Sequence, residues 1–128
     1  MTILLDTHIA LWSLYDDRRL SERSRAFLEF SGNEICYSLV SAWEIGIKNS
    51  LGKLAVPADS FIRDCDRMGY QVLEIRKEHI VGLKELSFPE NGHKDPFDRL
   101  LLTQAKIEGV CFLTQDAKLL AYDEPCIL

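Results

Sequence analysis

Short apolar runs alternate with helical patterns along the whole of this chain, and that alternation limits its fold more than any other feature. Strand-like runs occupy residues 2–5, 34–37, 71–75 and 111–114, and a shorter one ends the chain at 126–128. Helical patterns fill the gaps over residues 8–15, 22–30, 42–51, 59–68, 77–86, 97–108 and 117–121. Within them Ile62, Cys65 and Met68 recur at helical spacing, as do Leu100, Leu101, Gln104 and Ala105. Ile3-Leu4-Leu5 is continuously apolar, the pattern of a strand covered by helices on both faces. Strands separated by helices pair in parallel, because the chain must cross back over the sheet between them. The expectation is an α/β fold with a central parallel sheet of four strands, or five if the terminal run joins it.

Gly32, Gly52, Gly69 and Gly109 follow helical patterns, where a left-handed cap is wanted. Pro89-Glu90-Asn91-Gly92 is the clearest loop. A chain of 128 residues without repeat, low-complexity stretch or linker reads as a single domain spanning 1–128. Its 47% apolar content suffices for a core, and no apolar run approaches the roughly 20 residues that span a bilayer. No basic leader precedes an apolar segment, so the sequence predicts a cytoplasmic protein with no membrane partner. Cys36, Cys65, Cys111 and Cys126 show no Cys-x-x-Cys pair, and read as reduced, structural residues.

Four carboxylates sit where strand-like runs give way to helices. Asp6 closes the first run, Glu44 follows the second, Asp98 lies in the segment His93-Lys94-Asp95-Pro96-Phe97-Asp98-Arg99, and Asp116 follows the run at 111–114. In a parallel sheet the carboxyl ends of the strands share one edge, where ligands bind, so acids far apart in sequence can converge there. Crowded carboxylates repel one another unless a divalent cation neutralises them, and all-oxygen sites suit Mg²⁺ or Mn²⁺. Metal-dependent phosphodiester chemistry is the reading that follows. The net charge of −5 argues against tight, non-specific nucleic-acid binding by the bare protein, although two bound divalent ions would offset most of it.

Each acid also has a plain structural reading. Ser41-Ala42-Trp43-Glu44 has the form of a capping box, and Asp95-Pro96-Phe97-Asp98 that of an aspartate cap with proline at the first helical position. Asp116 could cap the short helix after it, and Asp6 could face the positive end of the first helix. Caps alone do not explain why all four follow strands at one sheet edge. Asp6 stands out, because an aspartate ending a buried strand is seldom left without a partner.

Taken in order, Leu5-Asp6-Thr7-His8, Ser41-Ala42-Trp43-Glu44-Ile45 with Lys48 and Gly52-Lys53-Leu54, His93-Lys94-Asp95-Pro96-Phe97-Asp98-Arg99-Leu100 and Leu113-Thr114-Gln115-Asp116 closely resemble a PIN domain of the VapC toxin type, over essentially the whole chain. The resemblance implies a three-layer α/β/α sandwich and a Mg²⁺- or Mn²⁺-dependent endoribonuclease. It implies a toxin of a toxin–antitoxin pair, partnered by a small antitoxin and commonly a homodimer. Asp6, Glu44, Asp98 and Asp116 fall on its acidic metal-binding, catalytic positions: Asp6 anchoring an ion, Glu44 and Asp98 completing its shell, and Asp116 placing a second ion or the attacking water. Whether one ion or two act stays open. Asp95 reads as a cap or outer group with metal contact possible, and Thr7 and Thr114 as groups that orient carboxylates or water.

Lys94 and Arg99 flank the acids, where each could touch an RNA phosphate or pair with a carboxylate. Lys48 is a further candidate substrate contact, and lysines such as Lys53 ordinarily solubilise a helix face. His8 and His93 read as structural, and Trp12 and Trp43 as core packing. A haloacid-dehalogenase-like phosphatase would want a second aspartate where His8 stands, and the acid pair and phosphate-accepting aspartate of a receiver domain are missing. The remaining alternative is a catalytically silent PIN-like module that only binds a partner protein.

Overall fold

The computed structural model describes residues 1–128. Its elements are β1 (Thr2–Leu5), α1 (Thr7–Leu14), α2 (Glu22–Glu29), β2 (Glu34–Ser38), α3 (Leu39–Ser50), α4 (Ala58–Arg67), β3 (Gln71–Leu73), α5 (Lys77–Gly82), α6 (Pro96–Glu108), β4 (Cys111–Leu113) and α7 (Ala117–Leu120), with a 3-10 turn at Leu83–Glu85 after α5. The strands form one parallel sheet in the order β3-β2-β1-β4. Ile3 pairs with Ile35 on one side and Cys111 on the other.

β1 is central, and its pleat sends successive side chains to opposite faces. Ile3 and Leu5 join one core with Ile9, Ala10, Ile45, Phe61 and Cys65, beneath α1 and α4. Leu4 joins the other with Leu100, Leu101, Leu102, Ala105 and Phe112, beneath α6. A strand buried on both sides has no polar face, which is why its sequence does not alternate. Leu4 is wholly buried, and truncating it to alanine would cost about 2–5 kcal/mol. Helices on both faces of a parallel sheet make the three-layer α/β/α sandwich.

The element boundaries correct the sequence reading in several places. The run at 126–128 contributes only an isolated bridge between Ile127 and Phe112, so the sheet has four strands. β3 stops at Leu73 and β4 at Leu113, each a little short of expectation. α3 begins at Leu39, not at residue 42, because the Ser38 side chain accepts from the Val40 amide at 3.0 Å and starts the helix earlier. Ser41-Ala42-Trp43-Glu44 is therefore no capping box, and Glu44 stands in the second turn. Gly52, Gly69 and Gly109 are left-handed as expected, whereas Gly32 is not; the space a side chain would need there is taken by the Phe30 ring. The four cysteines are free, with Cys65 fully buried and the others half-buried. No helix is long and apolar enough to cross a membrane.

Candidate active site

The strand order reverses beside β1. The chain lays β2 and then β3 on one side of it and returns at the end to place β4 on the other. A crevice opens at such a reversal, at the carboxyl ends of the strands. Asp6 lies there, one residue past β1, its amide donating to the Leu113 carbonyl at the end of β4 at 3.0 Å. Thr114 and Asp116 leave β4 at the same edge. From the other side, the Thr7 and Ser41 hydroxyls bond at 2.8 Å, fully buried, and tie the start of α1 to the first turn of α3. That link brings Glu44 toward Asp6. Asp98 arrives in the first turn of α6, whose Asp95 caps the helix by accepting the Asp98 amide at 2.9 Å.

The result is an open, polar cleft of about 510 Å³ lined by Glu44, Asp98 and Asp116 together with His8, Lys48 and His93, without a hydrophobic residue among its walls. Asp6 lies beneath it, 2% exposed. Burial pushes the Asp6 carboxyl up from 3.8 to about 6; the Thr114 hydroxyl, donating at 2.8 Å, opposes this, and the charges of Glu44 and Asp116 add to it. Asp98 goes up to about 7, first from burial and then from the repulsion of Asp6, Asp95 and Glu44, with the His93 contact at 3.0 Å opposing. These mutual repulsions mean that the four acids share one electrostatic site.

Each acid is held in its own way. Asp6 does not cap α1; its carboxyl is held by the Thr114 hydroxyl and by the neighbouring Thr7 backbone. Glu44 is 4% exposed; its Oε2 takes a 2.6 Å ion pair from Lys48, one helical turn on, and its buried Oε1 has no hydrogen-bond partner. Asp116 caps α7 by accepting the Lys118 amide at 2.9 Å, so its structural reading holds, yet it also lines the cleft. His93 spans from Asp98 to the Tyr122 hydroxyl at 2.9 Å and fixes the Asp98 carboxyl.

These groups fit a divalent cation by their chemistry: oxygen donors only, mutual repulsion to be relieved, and one orphaned buried oxygen in Glu44. As they stand, no three acidic, histidine or cysteine groups are gathered tightly enough to hold an ion. Lys48 and His93 engage two of the acids instead.

Several neighbouring residues differ from expectation. Lys48 and Lys94 line the cleft, whereas Arg99 does not. Arg99 is 7% exposed and donates to the Leu86 carbonyl at 2.7 Å and the Tyr122 hydroxyl at 3.1 Å, pairing with no acid. Lys53 does not line the cleft but borders an adjoining hollow with Trp12 and Val56. Trp43 is not core: it is 52% exposed and meets Phe97 edge-on at 4.8 Å, because at 100° per residue the face beside buried Glu44 turns outward. Trp12 is half-buried and stacks on His8. The sequence reading also passed over Asn91, Gly92 and Lys118, which complete the cleft; only their closeness in sequence to His93 and Asp116 signals it.

The chain is 25% identical to Ribonuclease VapC22 of Mycobacterium tuberculosis over 126 residues, 97% of this chain and 94% of the relative. In fold it is similar to VapBC2 from Rickettsia felis bound to a promoter DNA fragment, with a TM-score of 0.70 at 17% identity over 100% of this chain and 96% of the other. It is likewise similar to a toxin–antitoxin complex from Klebsiella pneumoniae, with a TM-score of 0.64 at 19% identity over 98% and 95% of the two chains. With the PIN domain model matching from residue 3 to residue 125, nearly end to end, the chain belongs to the PIN domain family.

Proposed function

We propose that this protein is a Mg²⁺- or Mn²⁺-dependent endoribonuclease, the toxin of a toxin–antitoxin pair acting in the cytoplasm. The observation that carries the reading is a cleft lined by Glu44, Asp98 and Asp116 with the buried Asp6 carboxyl repelling them, an arrangement in which that repulsion and the orphaned Glu44 Oε1 call for a cation. Similarity to a protein named a ribonuclease, over nearly the full length of both chains, supports it. Asp6, Glu44, Asp98 and Asp116 would hold the metal, with Asp95 left as the helix cap. Bound there, a divalent cation lowers the pKa of its water and offsets the charge that gathers on a phosphodiester as it is cut.

The chain's own groups prepare that chemistry. Thr114 keeps the Asp6 carboxylate oriented, and its oxygen also accepts the Asp116 amide at 3.1 Å, so one hydroxyl sets the spacing of two acids. His93 holds Asp98, and Lys48 neutralises the buried Glu44 charge. Lys94 and Lys118, which line the cleft without an ion pair, are cations placed to meet a phosphate there, beside Lys48 on Glu44. The proposed partners are RNA, a small antitoxin and a second copy of this chain. The solved relatives named as toxin–antitoxin complexes support the antitoxin. The exposed apolar stripe of Trp43 and Ile47 on α3 and Leu51 just past its end is surface that a protein partner would cover.

The test is Asp6→Asn. Purified parent protein should cut single-stranded RNA only when Mg²⁺ or Mn²⁺ is supplied, and the variant, folded by circular dichroism, should not cut. Cleavage by the variant at the parent rate would remove the assignment. The silent-module alternative would stand if the parent neither cuts RNA nor binds either ion.

A further inference from the structure

Next to the acidic cleft runs a second groove of about 470 Å³, between the 3-10 turn at Leu83–Glu85 and the start of α6. Lys84, Phe88, Lys94, Pro96 and Arg99 line it, with no carboxylate among its lining residues, in a chain whose net charge is −5. Lys94 belongs to both hollows, so the groove continues from the cleft and does not stand apart from it. Phe88 is 65% exposed, the most exposed large apolar side chain of the protein. Its inner face rests on the Arg99 guanidinium, 3.8 Å from the ring centroid. Arg99 is itself anchored by the Leu86 carbonyl and the Tyr122 hydroxyl. The ring is thus backed by a fixed cation, with its outer face open.

Arg99 is also a nearly buried charge whose acceptors are both neutral. Buried cations ordinarily have an anionic partner. Lys84 and Lys94 are exposed, and neither forms an ion pair. Three cations without carboxylate partners around one open aromatic face suit a polyanion that carries flat, stackable groups. Single-stranded nucleic acid has that chemistry: backbone charge for the lysines and a π-face for the ring.

The geometry points to this groove as the exit path of the RNA strand, with one base stacked on Phe88 and the flanking phosphates on Lys84 and Lys94. This rests on the nuclease reading for its direction, since the strand is taken to run from the acidic cleft across Lys94 into the groove. Any flat base can stack on an open ring, so the contact adds affinity and fixes position without reading sequence. RNA paired into a duplex keeps its bases stacked on one another and gains nothing from Phe88, so the groove favours unpaired loops.

The experiment uses the full-length protein in chelator, a fluorescein-labelled single-stranded RNA of about ten nucleotides and fluorescence anisotropy. Phe88→Ala should weaken binding about tenfold, the size of one lost base–aromatic stack. Lys84→Ala should lower the slope of log Kd against log salt by about 0.7. Ultraviolet crosslinking followed by peptide mapping should place an adduct on the peptide that contains Phe88. Unchanged affinity in Phe88→Ala, together with an adduct elsewhere, would overturn the proposal while leaving metal-dependent cleavage untouched. Loss of antitoxin binding in Phe88→Ala with RNA binding intact would overturn it too, making the groove a protein-docking surface. If the parent fails to cut RNA yet yields the Phe88 adduct, the groove stands and the nuclease reading falls.

Discussion

Replacing Asp98 by asparagine should make the metal-free protein more stable at neutral and alkaline pH while disabling the site. The Asp98 carboxyl goes from 3.8 up to about 7 in the folded protein, through burial and the charges of Asp6, Asp95 and Glu44. A carboxyl whose folded value is raised binds its proton more tightly when folded, so its contribution to stability is fully present below about pH 4. That stability is lost as pH climbs toward 7, and the curve flattens above. The full rise corresponds to roughly 4 kcal/mol. Partial solvent contact of this carboxyl screens it to about 2 kcal/mol. Asparagine cannot ionise, yet its oxygen can still accept from His93 Nε2. Allowing for a weaker, neutral hydrogen bond, the net gain above pH 7 is about 1 kcal/mol, or roughly 3–6 °C in Tm. Thermal melts in chelator across the pH range measure it directly. The variant should melt higher than the parent at about pH 8 and equal to it at about pH 4, where both side chains are neutral. A lower melting temperature for the variant at alkaline pH, or a gap that does not change with pH, would refute the reasoning.

Two further substitutions probe the support of the site. Lys48→Met removes the 2.6 Å partner of a carboxylate that is 4% exposed, and should lower metal-free stability by about 1–3 kcal/mol, with Mn²⁺ restoring more of the loss than it adds to the parent; equal Mn²⁺ shifts in the two proteins would contradict this. Thr114→Val strips Asp6 of its hydroxyl donor and leaves the Asp116 amide without its acceptor. It should cost about 1–3 kcal/mol and move the acid limb of the cleavage–pH profile upward, because the donor that favours the ionised Asp6 is gone. An unmoved profile would mean that Thr114 does not govern Asp6.

How much of this was legible in the sequence follows from which interactions are local. The fold was readable because each strand is a short apolar run between helices, and a parallel sheet then puts Asp6 and Asp116 at one edge wherever the remaining strands lie. Asp95 as a cap was equally local, since proline at the first helical position announces it. Helix α3 was not readable to the residue: Ser38 and Ser41 can both cap, and the choice falls to Ser38 because Ser41 is drawn into the buried bond with Thr7, a contact across more than thirty residues. Trp43 was misread for a related reason. A tryptophan between Ala42 and Glu44 counts as apolar in any pattern, but the buried side of the helix is set by long-range packing: Ile45 in the core beneath α1 and α4, Val40 in the core beneath α6. Arg99 looked like a neighbour of the acids, yet one helical step turns it about 100° away from Asp98, onto Phe88. The terminal run at 126–128 is apolar enough for a strand, but it contributes one bridge and no ladder.

The most direct test titrates Mn²⁺ by calorimetry into the chelated parent protein and into Asp6→Asn, Glu44→Gln, Asp98→Asn and Asp116→Asn, each verified as folded. Saturable binding by the parent that every one of the four substitutions weakens is the expected result, because carboxylates that share a cavity must share its cation. No binding by the parent, or binding that all four variants retain at parental strength, would contradict the account.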